Sequence, residues 1–347
     1  MTDWATTLNI GPQIGAGHFG TVHEGTDHVL GRVAVKVMRK EPTEQDTEWQ
    51  TRKADLLREG QRLRDAEHDR VVRVFQVLEH QTQDAIVLVM EFCEGGSLQT
   101  HFENGPFSFS CLRSILTDAA LGLQVVNSRG MLHRDIKPGN ILLDGRGRAK
   151  LGDFGLVTNN LILGYAAAQG YLDHIAKEVY DTGLTSVRSD IWALGMTTYR
   201  LLHGQAFYNE LPEPKTLIPK GGFALTLPWL PHIPSEWRRF VRQSMNDEPA
   251  NRFQTAAQML QAIERLPVAP EWICDYSPQE VLWSRVTANR EIRVRWEKHS
   301  PRRHEWEAKS FPLTSGRERR LGGSNGVVGK QRVLTDLQSF FDSQWKR

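Results

Sequence analysis

The residues with the strongest chemical signature are His133-Arg134-Asp135-Ile136-Lys137-Pro138-Gly139-Asn140 and, a little further on, Asp153-Phe154-Gly155. Asp135 is a proton acceptor with an ammonium, Lys137, close behind it. Asn140 and Asp153 add oxygen ligands of the kind a hard cation such as Mg2+ prefers. A base, a cation and two oxygen ligands in one stretch suit phosphoryl transfer, which is mostly positioning plus neutralisation of phosphate charge. One such triplet also occurs in ordinary solvated turns, so the weight comes from other groups that follow in a fixed order.

The first of these lies upstream, in Ile14-Gly15-Ala16-Gly17-His18-Phe19-Gly20-Thr21-Val22. Glycine lets a backbone approach phosphates closely. A lone GxGxxG is also the mark of a dinucleotide-binding turn, but that turn opens a helix. Here apolar alternation resumes in Thr21–Gly25 and again in Val33–Val37, which predicts strand–loop–strand. Lys36 falls in the second strand. From Glu44 to Arg64 the chain is highly charged, with Trp49, Leu56, Leu57 and Leu63 at helical spacing. Ala85-Ile86-Val87-Leu88-Val89-Met90 is an apolar run that predicts a buried strand, and Glu91-Phe92-Cys93-Glu94-Gly95-Gly96 follows it.

Taken in order, these motifs resemble the eukaryotic-type (Hanks-type) serine/threonine protein kinases over about residues 8 to 266. Short loops and the Gly145–Leu156 phrasing look more like a bacterial member. The resemblance implies an α+β, bilobal protein kinase fold: a β-rich N-lobe (8–90), a hinge (91–96) and a helical C-lobe (97–266). It implies ATP and Mg2+ as cosubstrate and cofactor and a protein hydroxyl as acceptor. Asp135 and Lys137 would serve the transferred group. Lys36 would hold the α- and β-phosphates, paired to Glu59 in preference to Glu48 or Glu67. Asn140 and Asp153 would hold the metal. Ile14, Gly15, Gly17, Gly20, Val22, Ala34, Met90, Glu91, Cys93 and Leu142 would surround ATP, with Met90 as gatekeeper. Asp190, in Ser189-Asp190-Ile191-Trp192, would brace the catalytic loop from beneath, and Ser189 or Asp190 is a plausible helix cap. Arg252 would pair with Glu178. The lysine in HRDIKPGN favours the serine/threonine class. A small-molecule phosphotransferase or a catalytically silent scaffold is the competing class.

One segment departs from the pattern. Where the family has GTxxYxAPE, this chain has Gly170-Tyr171-Leu172-Asp173-His174-Ile175-Ala176-Lys177-Glu178. The threonine that contacts the catalytic Asp and Lys in the family is Tyr171 here, and the tyrosine is His174. The loop before it is apolar, so Arg134, the usual docking point for an activating phosphate, has only Thr158, Tyr165 and Tyr171 as candidate phosphosites.

Composition fits this reading. The 347 residues are 39% hydrophobic, and Cys93, Cys111 and Cys274 show no metal or disulfide spacing. The start lacks a targeting pattern, and no run approaches the roughly 20 apolar residues of a membrane span. Together these predict a cytoplasmic protein without membrane contact. After a short linker (267–270) the texture changes. Residues 1–266 carry 28 Lys and Arg against 31 Asp and Glu, whereas 271–347 carry 15 against 10. That tail holds Trp272, Trp283, Trp296, Trp306 and Trp345. Val281–Val286 and Ile292–Trp296 alternate as strands, His304–Ala308 forms a third, Arg317–Gly329 reads as a flexible basic loop, and a helix follows. Such a basic, tryptophan-rich β-plus-helix module would grip nucleic acid, select a protein partner, or stabilise the C-lobe with tryptophans that form its own core.

Overall fold

A segment alternating Val33, Val35 and Val37 with Ala34 and Lys36 must send the valines to one face and the other two to the opposite face. The computed structural model, which describes residues 8–17, 20–65, 67–80, 84–153 and 172–345, has this segment as strand β3 (Gly31–Arg39). It is central in an antiparallel sheet with β1 (Asn9–Gly17), β2 (Gly20–Asp27), β4 (Val74–His80) and β5 (Ala85–Glu91), in the order β1-β2-β3-β5-β4. The three valines form a buried cluster with Ala85, Val87 and Val89. Gly20 has φ +138°, and a Cβ there would lie 2.2 Å from Val37 O. Only glycine lets β2 start this close to β3.

Helix α1 (Asp46–Asp65) buries Trp49, Lys53, Leu56, Gly60 and Leu63. The stripe therefore takes Lys53 and Gly60 where sequence periodicity pointed to Leu57. Lys53 Nζ reaches Glu79 at 2.5 Å and Asp84 at 2.9 Å, and Trp49 Nε1 donates to Asp84 at 2.7 Å. A Cβ on Gly60 would meet Val77 at 2.9 Å, so this glycine sets how deeply the helix, and Glu59 with it, approaches the sheet.

The chain divides into two compact units. The first (Met1–Leu98, Asp118–Asp190, Thr255–Ala257) holds this sheet, α1, and a small sheet of β6 (Gly96–Ser97), β7 (Ile141–Leu143) and β8 (Ala149–Leu151). The second (Gln99–Thr117, Ile191–Gln254, Gln258–Arg347) is helical and also contains the C-terminal sheet. Helix α2 (Leu98–Asn104) precedes α3 (Phe109–Ser128), and α4 (Lys177–Thr182) precedes α5 (Val187–Tyr208). Helices α6 (Ser235–Ser244) and α7 (Ala256–Glu264) follow after shorter helical turns. Contrary to the sequence reading, α3 is long and apolar enough to cross a membrane by length and composition, but 56% of its most apolar 18-residue stretch is buried inside the protein, as in a core helix.

In the C-terminal part, β9 (Ile273–Tyr276), β10 (Glu280–Val286), β11 (Arg290–Ser300), β12 (Arg303–Pro312) and β13 (Arg319–Gly323) form one antiparallel meander, followed by α8 (Lys330–Trp345). Part of the expected flexible loop is thus a strand, β13. It has no apolar alternation and joins through backbone pairing to β12, and a Cβ on Gly322 would lie 2.9 Å from the Trp306 ring. Trp272, Trp283, Trp296 and Trp306 are buried, and Phe341 of α8 lies 5.1 Å from both Trp272 and Trp283, ring to ring. On the opposite face the charges pair off: Arg295 with Glu280 and Glu297, Arg293 with Glu291, and Lys309 with Glu307.

This sheet and helix pack against the helical part of the same unit. Trp345 meets Phe109 at 5.6 Å, Trp283 meets His232 at 5.8 Å, and Tyr276 meets Phe207 at 5.3 Å. Tyr276 Oη also donates to Glu210 at 2.6 Å, and within the expected linker Pro267 O accepts from Trp237 Nε1 at 2.8 Å.

Candidate active site

Sheet register gathers the first group of candidate residues. Across β2, β3 and β5, Val22 faces Lys36 and Lys36 faces Leu88, while Ala34 faces Met90. Val22, Ala34 and Met90 are half-buried, whereas Val33, Val35 and Val89 on the opposite face are sealed. The first set therefore lines the less sealed face of the sheet, together with Gly15, which pairs with Val22. Gly17 pairs with Gly20 at the end of the hairpin, and Ile14 is exposed. Leu142 lies in β7, half-buried. Glu91 N–H donates to Arg73 O at 2.9 Å and its carboxylate takes Lys150 at 2.7 Å. Burial pushes the Cys93 thiol up to about 12, so it stays protonated.

Lys36 is 3% exposed, and a buried ammonium needs an anionic partner. Its Nζ bonds Asp153 Oδ1. Glu59 Oε1 takes Arg134 Nη1 at 3.5 Å. Candidate phosphate and metal residues thus meet directly, and the α1 glutamate is tied to the catalytic loop.

That loop is shaped by Asp190. Its two carboxylate oxygens accept from His133 N and Arg134 N, each at 2.8 Å. Held so, Arg134 takes φ +68°, and Asp153 takes φ +50°. Left-handed conformations at non-glycine residues cost of order 1–3 kcal/mol and persist where surrounding bonds fix them. Asp190 therefore braces the loop instead of capping α5. The cap is Ser186, whose Oγ accepts from Arg188 N at 3.2 Å, while Ser189 Oγ accepts from Ser186 N at 2.9 Å. Burial pushes Asp190 up to about 6, against its two N–H donors. Burial also takes His133 down to about 4, leaving it neutral.

Asp135 stands at the centre. Oδ2 takes Lys137 Nζ at 2.8 Å and Asn140 Nδ2 at 2.7 Å, and Asn140 Nδ2 also reaches Asp135 O at 2.8 Å. Oδ1 lies 2.8 Å from His174 Nε2. Burial pushes the Asp135 carboxyl up, but His174 and Lys137 outweigh it and hold it well below the carboxylate range. The Asn140 amide nitrogen is committed to Asp135, so its carbonyl oxygen is the atom left for a cation. Gly152 N donates to Asn140 O at 2.9 Å, tying the neighbour of Asp153 to the same turn.

Two residues here escaped the sequence reading. By sequence His174 is only a departure from a pattern, yet it touches Asp135. Asp118, 1% exposed on α3, binds Arg70 at 2.9 Å and Arg148 at 2.6 Å and accepts from Ala149 N, so it anchors β8 beneath the site. No motif marked it. Glu178 sits in the first turn of α4. Arg252 is buried, with Nε donating to Asn246 O at 2.6 Å. Thr158, Tyr165 and Tyr171 lie outside the described residues.

Residues 8–263 match the model of the protein kinase domain family. Among curated proteins the chain is 28% identical over 255 residues to the serine/threonine-protein kinase PrkC of Bacillus subtilis, covering 71% of this chain and 38% of that one. It is 27% identical over 289 residues to the serine/threonine-protein kinase ssp1 of Schizosaccharomyces pombe, covering 78% and 44%. It is 33% identical over 209 residues to the hormonally up-regulated neu tumor-associated kinase homolog A of Xenopus laevis, covering 58% and 30%. The chain thus spans less than half the length of these relatives, and their spread does not single out a bacterial origin.

Proposed function

Because the chain belongs to the protein kinase family, we propose that it transfers the γ-phosphoryl group of ATP to a serine or threonine hydroxyl of a protein, with Mg2+ as cofactor. The observation that carries this reading is Asp135, an ionised carboxylate held by Lys137 and Asn140 on one oxygen. The hydroxyl oxygen attacks phosphorus, the β–γ bridging P–O bond breaks, and ADP leaves. Asp135 takes the hydroxyl proton at Oδ1, the oxygen that Lys137 and Asn140 do not hold. Lys137 balances charge beside it, and Lys36 orients the nucleotide phosphates. The Asn140 carbonyl and the Asp153 carboxylate are hard oxygen donors that fit Mg2+ and would hold it. Bound there, it would neutralise phosphate charge. The half-buried Val22, Ala34, Met90 and Leu142 fit an apolar adenine slot.

A test is the full chain against Asp135→Ala, assayed with γ-labelled ATP and a generic serine/threonine peptide. Labelling by the wild type and none by the variant is expected; equal labelling would refute the assignment. The free thiols Cys93, Cys111 and Cys274 suit an ATP-containing, reducing compartment, the cytoplasm.

For residues 271–347 the reading is a brace for the helical lobe. It is supported by the aromatic contacts of Trp345, Trp283 and Tyr276 with Phe109, His232 and Phe207. The pairing of Arg293, Arg295 and Lys309 with neighbouring carboxylates leaves these three less available to a nucleic-acid backbone.

A further inference from the structure

Among the described residues, Asp135 Oδ1 meets a group that the catalytic motifs do not supply. His174 Nε2 lies 2.8 Å away, and both side chains are at most 3% exposed. The other ring nitrogen, Nδ1, lies 3.8 Å from Asp173 Oδ1. An imidazole with a carboxylate at each nitrogen is suited to be an imidazolium, because both nitrogens then carry protons. A substrate hydroxyl needs this same oxygen, and the Asp135 side chain is 3% exposed with His174 against it. We propose that His174 is a proton-operated cap on Asp135, occupying in its charged form the oxygen that a substrate hydroxyl must reach.

The inference rests on reading Asp135 as the proton acceptor. The charges around the ring are consistent with it. The catalytic loop presents Asp135 and Lys137, the turn of His174 presents Asp173, and α4 presents Tyr180, whose phenol is kept neutral by burial. Burial and Lys137 oppose protonation of His174, but the two carboxylates beside it, Asp135 and Asp173, prevail and raise the ring above its ordinary 6.5. The sign follows from this. The cap is fully formed below 6.5 and is lost as pH rises through the folded value, so transfer increases with pH in that window.

The test is kcat against pH at saturating ATP and Mg2+, for the full chain and for His174→Gln, which has no titrating ring. The wild type should gain up to about tenfold per pH unit above 6.5. The variant should lack this rise and exceed the wild type at the acid end. A variant with the wild-type slope would overturn the proposal. Should His174→Gln fail to fold, NMR titration of the wild-type histidine rings decides: a His174 value above 6.5 supports the cap, and one at or below 6.5 refutes it. The same titration in Asp135→Asn should move His174 downward. That readout needs no activity, so it separates failure of the cap from failure of Asp135 as acceptor.

Discussion

The catalytic loop and the C-terminal sheet are both well buried, but by opposite means. Around the loop the sealed side chains include Lys36, Asp118, Asp135 and Asp190, each bonded to a named partner. In the sheet the sealed side chains include Val281, Trp283, Val294, Trp296 and Trp306, filled in from one side by α8. A buried charge is tolerable only with its particular partner, so residue identity is fixed at each position. An apolar core asks for volume and periodicity, and many sequences meet that demand. Motifs therefore survive in the first region and only texture in the second.

The largest effect should come from breaking the polar region at its centre. Asp135→Asn keeps shape and removes the base, and should lower transfer by about 10²–10⁴-fold. Thermal unfolding should change little by comparison. Equal losses of activity and stability would mean that the network is structural first, and the contrast between the regions would fail.

The converse break is Trp283→Ala in the sheet. Trp283 is 1% exposed and packs on Phe341 and His232. Truncating a large buried aromatic typically costs about 3–5 kcal/mol. Denaturant unfolding should show that loss, while kcat per folded molecule stays within about twofold, since no Asp135 ligand is touched. A selective fall in kcat with stability intact would assign the sheet a part in catalysis.

What could be read from the sequence follows the same division. Lys36, Asp135, Asn140 and Asp153 were legible because the chemistry of phosphate and metal permits few substitutes. Strands β2, β3, β10 and β11 were legible because each alternates apolar residues, and β5 because it is an unbroken apolar run. Strand β9 was too short to signal, and β13 was hidden because its bonds are made by backbone and its key residue is a glycine under Trp306. Asp118 was invisible for another reason: its partners, Arg70 and Arg148, are far from it in sequence. His174 stood in view as an irregularity, but its bond to Asp135 required the fold.

A smaller effect separates bracing from chemistry inside the polar region. Asp190→Asn keeps one acceptor oxygen and leaves one of the two loop N–H groups, His133 or Arg134, without its partner. An orphaned buried donor costs about 1–3 kcal/mol. Because this donor shapes the loop, kcat should fall together with stability, and KM for ATP should hold. Unchanged kcat at reduced stability would show that the loop keeps its form without Asp190.

The smallest effect lies in the sheet, at its one strongly displaced cation. Lys298 Nζ lies 2.8 Å from Tyr276 Oη and 4.0 Å over the Tyr276 ring, and burial takes its pKa from 10.5 down to about 8. Between those values the unfolded chain binds more protons than the folded one, so stability must fall as pH drops from 10.5 toward 8. Lys298→Met keeps the stem and removes the titration. Its unfolding midpoint should be flatter than that of the wild type over the part of this window below the ordinary tyrosine value of 10.0. Asp135→Asn should leave this alkaline slope unchanged. If instead the slope survives Lys298→Met, the sheet carries no isolated buried charge of its own, and its stability is apolar throughout.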